Sequence, residues 1–307
     1  MSISSPQQRP VIGRFAPSPT GPLHFGSLVA ALGSYLLART NGGQWLLRIE
    51  DLDPPRTVPG AAEQMIGLLE LLGFEWDGEI LYQSRRTDRY AQVLQQLREQ
   101  QQLFDCSCSR REILLSAPHP GEEGPVYSGL CRQGPVGSRT ELATRLRVPD
   151  QIVYHHDRIF GPQQQQLQLE VGDFVLRRAD GLFAYQLAVV VDDIDSGVTQ
   201  VVRGADLLTS TARQIYLYQC LQQPPPDYYH LPLALGADQE KLSKRHGASG
   251  EVTAENGSLS LWNALLFLGQ PVPATLQQAP ARQLLDWALM HFSVERISTC
   301  PRPAPAI

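Results

Sequence analysis

A regular alternation of short apolar strands and helices is the feature that most constrains the fold of this chain. Residues 11–15 predict a strand, and residues 26–40 predict a helix with Ser27 as its N-cap, because apolar side chains recur there at helical spacing. A second strand follows at 44–49, and a second helix follows at 61–72. Strands and helices in this order predict βαβ units, and therefore an α/β fold with a parallel sheet.

The pattern breaks in the middle of the chain. Cysteine, proline and glycine dominate residues 104–149, and the following stretch to residue 169 is polar, with residues 163–166 predicted to be a loop. After residue 250 we expect two helices that pack on the core, and a disordered tail from residue 301. The predicted parts are a first half of the core at 11–103, an insertion at 104–190, a second half at 191–249 and a helical segment with its tail at 250–307.

Charge and hydropathy exclude some classes of protein. The chain has 26 basic and 31 acidic side chains, which argues against non-specific wrapping of nucleic acid but allows a local basic face. Residues 1–10 lack the apolar core of a signal peptide. The longest apolar run, at 187–191, is far shorter than the ~20 residues that a membrane span needs. We therefore expect a soluble, cytoplasmic monomer with no membrane partner.

Two distant segments indicate phosphate binding. The chain has only two lysines, Lys241 and Lys244, and they flank Ser243 in one short run. A compact ammonium group on a flexible stem suits a loop that closes on phosphates. His24 and Gly26 lie at the predicted start of the first helix, where free backbone N–H groups and the helix dipole attract anions.

The same segments resemble the two signatures of class I aminoacyl-tRNA synthetases of the glutamyl type. Ser27 replaces the second histidine of the first signature, and Leu242 and Arg245 replace the methionine and the final serine of the second. The resemblance covers about residues 14–248, and the stretches that carry it are 14–21, 24–27, 48–53, 202–206 and 241–245.

This resemblance implies a Rossmann-like parallel sheet with a zinc-bearing insertion and a short C-terminal helical part, and it implies an ATP-dependent ligase. Glutamate would be bound by Arg14, Phe15, Ala16, Pro17, Ser18, Glu50, Tyr185 and Arg203. ATP, with Mg²⁺, would be bound by His24, Gly26, Lys241, Ser243 and Lys244. Among these, His24 and Lys244 would be catalytic, because they would stabilise the negative charge that develops on the leaving pyrophosphate. Arginine suits the glutamate site, because its forked N–H groups bind both oxygens of a carboxylate.

Three cysteines, Cys106, Cys108 and Cys131, are clustered in the predicted insertion. In a reducing compartment such a cluster indicates a metal site, and three thiolates favour structural Zn²⁺ with a fourth ligand. The usual ligand preferences of zinc favour His119, whereas the resemblance implies Tyr127, because Tyr-x-x-x-Cys recurs in the family. We expect Tyr127 to be the fourth ligand and zinc to stabilise the fold of the insertion.

The acceptor of the glutamyl group is implied by the resemblance alone. Within the family the chain most resembles members that lack an anticodon-binding part and transfer glutamate to queuosine in tRNA(Asp). The alternatives are a truncated glutamyl-tRNA synthetase, which charges the terminal adenosine of tRNA(Glu), and a zinc-bearing RNA-binding module with an inactive core. Arginines in and around the insertion either contact RNA phosphates or are scattered solvated charges; they include Arg86, Arg89, Arg110, Arg111, Arg132, Arg145 and Arg147.

Overall fold

The computed structural model describes residues 9–118, 124–236 and 250–304. Its strands are β1 (Ile12–Phe15), β2 (Gln44–Ile49), β3 (Leu81–Tyr82), β4 (Leu103–Cys106), β5 (Ala143–Leu146), β6 (Ile152–Asp157), β7 (Gly161–Gln166), β8 (Val175–Arg177), β9 (Gln200–Gly204), β10 (Asp227–Leu231), β11 (Ala234–Leu235) and β12 (Arg302–Pro303). Its helices are α1 (Phe25–Arg39), α2 (Ala61–Leu71), α3 (Thr87–Glu99), α4 (Arg110–Ser116), α5 (Leu167–Glu170), α6 (Tyr185–Asp195), α7 (Thr211–Cys220), α8 (Gly257–Phe267) and α9 (Ala281–His291).

The core is a parallel α/β structure, as the sequence predicted. Strand β2 pairs in parallel with β1 and β3, and β10 pairs in parallel with β9 and β6. The two sets of strands meet where the backbone N–H of Thr199 donates to the carbonyl oxygen of Ile12 at 2.9 Å. Residues at the carboxyl ends of β1, β2, β9 and β10 lie on one side of the molecule, where they line the same cavity.

Helix α1 is the most deeply buried helix of the first half, because apolar side chains cover most of its circumference. Leu28, Leu32 and Leu36 are completely buried between the sheet and the C-terminal helices. Each such leucine contributes roughly 1.5–3 kcal/mol by leaving water. Phe25 at the start of α1 also packs edge-on against Phe267 of α8, with ring centroids 5.7 Å apart. The segment after residue 250 thus packs on the core, as expected.

Two regions differ from the sequence-based expectation. Strands β6 and β7 form an antiparallel hairpin where the sequence predicted irregular chain, with 163–166 as a loop. An antiparallel ladder needs only backbone groups, and β7 lies at the edge of its sheet, so its glutamines can remain partly exposed. At the other end of the chain, β12 pairs in parallel with β11, although disorder was predicted from residue 301.

The insertion contains a separate small sheet in which β5 pairs antiparallel with β4 and β8. The division of the chain at residues 103, 190 and 249 remains a prediction. Among the described helices, none combines the length and the apolar character required to cross a bilayer.

Candidate active site

A cavity of about 530 Å³ lies at the carboxyl ends of β1, β2, β9 and β10. Parallel sheets commonly bind ligands at this edge, because the strands end there and the following helices begin there. Every residue predicted to bind glutamate or ATP that lies in the described ranges lines this cavity: Arg14, Phe15, Ala16, Pro17, Ser18, His24, Gly26, Glu50, Tyr185 and Arg203. Lys241, Ser243 and Lys244 lie outside the described residues.

The start of α1 forms one wall of the cavity. The helix begins at Phe25, and its N-cap is His24, whose Nδ1 accepts from the backbone N–H of Ser27 at 3.2 Å. The prediction of Ser27 as the N-cap was therefore wrong, because the N-cap lies three residues earlier. A Cβ atom at Gly26 would lie 3.2 Å from Cε1 of the His24 ring, a tight contact that would require the ring to shift by a few tenths of an ångström.

Four buried charges lie on one side of the cavity. The carboxylate of Asp193, on α6, accepts from Arg14 Nε at 3.1 Å and from Arg48 Nη1 at 2.6 Å, both at Oδ1. Arg48 also donates to Glu50 at 3.2 Å. No side chain of this group is more than 10% exposed. The arrangement fixes Arg14 and Glu50 next to each other, with opposite charges directed to the cavity.

The pKa values of this group follow from burial and from the neighbouring charges. Burial raises the pKa of the Glu50 carboxyl, against the opposing effect of Arg48 and Arg14. Burial also acts to raise the pKa of Asp193, but the charges of Arg14 and Arg48 outweigh it, so the pKa of this carboxyl is lowered. Asp193 therefore stays ionised, whereas Glu50 is the group whose charge a further cation would stabilise.

Arg203, near the end of β9, also lines the cavity. Its Nη1 is 3.5 Å from the phenolic oxygen of Tyr185 and 2.8 Å from Oε1 of Gln214. Burial raises the pKa of the Tyr185 hydroxyl, which favours the protonated form that can donate a hydrogen bond. Tyr185 and Arg203 can thus both donate hydrogen bonds to a carboxylate placed next to the two groups.

Sequence reasoning did not assign roles to Arg48 and Asp193. A usable signal was present, because two adjacent aspartates, Asp192 and Asp193, end an otherwise apolar stretch of α6. Buried aspartate is rare unless it is paired, so such a pair indicates buried cationic partners.

The three clustered cysteines and Tyr127 form a compact group in the insertion. The sulfur atoms of Cys106, Cys108 and Cys131 all lie within 4.8 Å of one another, and those of Cys108 and Cys131 are 3.5 Å apart. The Tyr127 oxygen lies 3.4 Å from the Cys106 sulfur and 3.9 Å from the Cys108 sulfur. Tetrahedral Zn²⁺ with ~2.3 Å bonds to sulfur requires such atoms to be ~3.5–3.8 Å apart. The three thiols are close enough together to hold a metal ion such as Zn²⁺, and the Tyr127 oxygen lies beside them. His119 lies outside the described residues.

Several arginines considered for RNA contacts are engaged inside the protein. Arg86 Nε donates to the buried carboxylate of Asp192 at 2.6 Å. Arg132 forms a 2.6 Å ion pair with Asp173, and Arg145 is buried. By contrast, Arg110 and Arg111 are exposed on α4. The geometry thus favours a structural role for the first three and leaves the α4 pair available to solvent.

The parallel core and the cavity at its carboxyl ends are those expected of the catalytic domain of a class I tRNA synthetase. In agreement, the family model of the tRNA synthetases class I (E and Q), catalytic domain, matches residues 10–282. The chain is similar to a glutamate tRNA ligase from Elizabethkingia meningosepticum, with a TM-score of 0.78 and 26% identity over 96% of this chain and 67% of that one. It is also similar to the glutamate-tRNA synthetase of Elizabethkingia anophelis, with a TM-score of 0.80 and 27% identity over 97% of this chain and 68% of that one.

Proteins with a higher sequence identity to this chain indicate which family of class I synthetases it belongs to. A protein of Geobacter sulfurreducens named glutamyl-Q tRNA(Asp) synthetase is 51% identical, and the match covers 99% of this chain and 98% of that protein. A protein of the same name from Dechloromonas aromatica is 52% identical over 94% of this chain and 96% of its own length. The chain belongs to the family of the glutamyl-Q tRNA(Asp) synthetases, within the class I synthetases of the E and Q type.

Proposed function

We propose that this protein activates glutamate with ATP to form glutamyl-adenylate, and then transfers the glutamyl group to queuosine in tRNA(Asp). The observation that supports this most directly is that one cavity is lined by the cationic side chains of Arg14 and Arg203 and by the carboxylate of Glu50. The start of α1, whose backbone N–H groups can bind phosphate, lines the same cavity. The names of relatives about half identical over nearly their whole length supply the acceptor.

The charged groups that line the cavity are complementary to the charged groups of glutamate. Arg14 and Arg203 would bind carboxylate groups, and Tyr185 would donate a further hydrogen bond. Glu50 would accept from the α-ammonium group, and this positive charge would favour the ionised form of a carboxyl whose pKa burial raises. Positioning of this kind is the main requirement of the reaction, because the attacking carboxylate is already ionised and needs no general base.

In the activation step, a carboxylate oxygen of glutamate attacks the α-phosphorus of ATP and pyrophosphate leaves. His24 and the backbone N–H groups at the start of α1 would bind phosphate oxygens, where negative charge develops. Mg²⁺, which usually accompanies ATP, would neutralise part of that charge. Lys241, Ser243 and Lys244 are proposed to act on the same phosphates from the other wall.

A structural zinc ion in the insertion is part of the proposal. Cys106, Cys108 and Cys131 would bind it as thiolates and Tyr127 as the fourth ligand, in a closed site without an open position for chemistry. Zinc would supply stability to the insertion, since its connection between β4 and β5 is rich in proline and glycine and has little apolar core of its own.

The acceptor is tested by finding which nucleotide carries the glutamyl group. Purified tRNA(Asp) containing queuosine is incubated with labelled glutamate and ATP, digested to nucleosides and analysed by mass spectrometry. We expect the label on queuosine, and none on tRNA(Asp) that has guanosine at that position. A Glu50→Gln variant should lose most of the labelling, because glutamine cannot form an ion pair with the ammonium group. Label on the terminal adenosine of tRNA(Glu) would instead identify a glutamyl-tRNA synthetase.

A further inference from the structure

The guanidinium group of Arg203 is held by neutral acceptors. Its Nε donates to His230 Nε2 at 3.0 Å, and its Nη2 donates to Thr211 Oγ1 at 2.9 Å and to the carbonyl oxygen of Leu207 at 3.2 Å. Gln214 and Tyr185 are near Nη1. Within the described part of the chain, no carboxylate forms an ion pair with Arg203, so its positive charge is available to a ligand.

His230 connects Arg203 to a buried carboxylate. Its Nδ1 lies 2.6 Å from Oδ2 of Asp157, and both side chains are completely buried. Because Arg203 Nε can only donate, His230 Nε2 must be unprotonated, and the ring proton must lie on Nδ1 and point to Asp157. Burial lowers the pKa of His230 despite the hydrogen bond to Asp157, which agrees with a neutral ring.

The three residues come from three adjacent parallel strands. Asp157 ends β6, His230 lies in β10, and Arg203 lies in β9 directly opposite His230 in the register. The connection therefore crosses the sheet at the edge where the cavity lies. In these positions the rigid ladder of the sheet, rather than a loop, sets the direction of the Arg203 side chain.

We propose that His230 and Asp157 are positioning residues that hold Arg203 in the orientation that binds a substrate carboxylate, without neutralising its charge. The inference rests on the proposed activation of glutamate. A carboxylate placed directly on Arg203 would compete with the substrate for the guanidinium group. A neutral imidazole accepts one hydrogen bond from Nε without adding a negative charge. The N–H group of Nη1 that faces the Tyr185 oxygen has only a long contact of 3.5 Å, so it is the donor best placed to bind a substrate carboxylate.

Asp157 is less suitable than His230 for a test. Its Oδ1 also accepts from the backbone N–H groups of Ile159 at 3.0 Å and Phe160 at 2.7 Å, so it stabilises the turn between β6 and β7. A change at Asp157 would therefore alter the hairpin as well as Arg203. At His230, two substitutions separate the two hydrogen bonds of the ring.

The experiment compares His230→Asn with His230→Gln in glutamate-dependent ATP–pyrophosphate exchange. The asparagine amide can still donate to Asp157 but is too short to accept from Arg203, whereas the glutamine oxygen can take the place of Nε2. We expect the Asn variant to raise the KM for glutamate on the order of 10- to 100-fold, with the KM for ATP changed by less than about twofold. The Gln variant should stay within roughly fivefold of the unaltered protein for both substrates.

His155→Gln is the matched control, because His155 is a neighbouring histidine of the same sheet. Its ring nitrogens are buried and have no hydrogen-bond partner among the residues that the structure describes. It should leave both KM values unchanged. An unchanged glutamate KM in a folded Asn variant, or equal increases for glutamate and ATP, would overturn the positioning role alone. If the unaltered protein shows no glutamate-dependent exchange, the proposed function and this inference both fall.

Discussion

At the scale of single residues, Asp193 sets the charge balance of the cavity, because two buried guanidinium groups share its Oδ1 atom. Asp193→Asn would leave Arg14 and Arg48 with Glu50 as their nearest carboxylate. Breaking a buried ion pair by removing one partner costs about 3–5 kcal/mol, so we expect a loss of stability of this order in urea denaturation.

Asp195→Asn is the matched control for this prediction, since it makes the same change two residues along α6. Asp195 pairs with Arg86 and Arg89, but its side chain is 25% exposed. Exposed pairs contribute about 1 kcal/mol or less. Equal losses of stability in the two variants would contradict the view that Asp193 neutralises a buried cluster.

The residues of the cavity differ in how far they could be predicted. Arg14, His24 and Glu50 lie in short signatures, so their presence together in one cavity could be expected from the sequence. Asp193 and His230 act through partners about 180 and 27 positions away, which no local pattern encodes. Their roles depend on the register of the parallel strands and on the placement of α6, and these become visible only in three dimensions.

At the scale of elements, local patterns predicted the core well and the insertion poorly. The strand at 44–49 has the predicted bounds, since it is largely apolar and mostly buried, as is usual for a strand in a parallel sheet. The hairpin of β6 and β7 was missed because glutamine runs carry no periodic signal. Its stability depends on backbone pairing and on the Asp157 turn, which hydropathy does not report.

The fourth ligand of the cysteine cluster is a prediction at this scale. We expect Tyr127→Phe to lose most of the bound zinc and to increase hydrogen exchange in β4 and β5, because the metal replaces an apolar core in this region. His119→Ala should retain zinc. Metal content by mass spectrometry of the purified variants decides between them. Loss of zinc from the His119 variant, with retention in the Tyr127 variant, would reverse the assignment.

At the scale of the whole molecule, the cavity is assembled from segments that are far apart in the chain. Arg14 and Glu50 come from the first half, Tyr185 comes from the end of the predicted insertion, and Arg203 comes from the second half. Buried polar links, such as the hydrogen bonds of Gln83 and Tyr90 to Asp192, fasten α6 to the first half. The activity therefore depends on the packing of the entire core, and loss of global stability should abolish it.

Stability should depend on pH through buried histidines. Burial lowers the pKa of His155 and of His230, so the folded chain keeps both rings neutral where the unfolded chain binds protons, below about pH 6.5. Because the unfolded state then holds more protons, the free energy of unfolding should fall as the pH drops below that value, by up to ~1.4 kcal/mol per pH unit for each ring.

Urea denaturation at neutral pH and near pH ~5.5 measures this dependence of the unfolding free energy on pH. His155→Gln should reduce it, because this variant lacks one of the two buried rings. An equal slope in the variant and the unaltered protein would show that His155 titrates alike in the folded and unfolded chain.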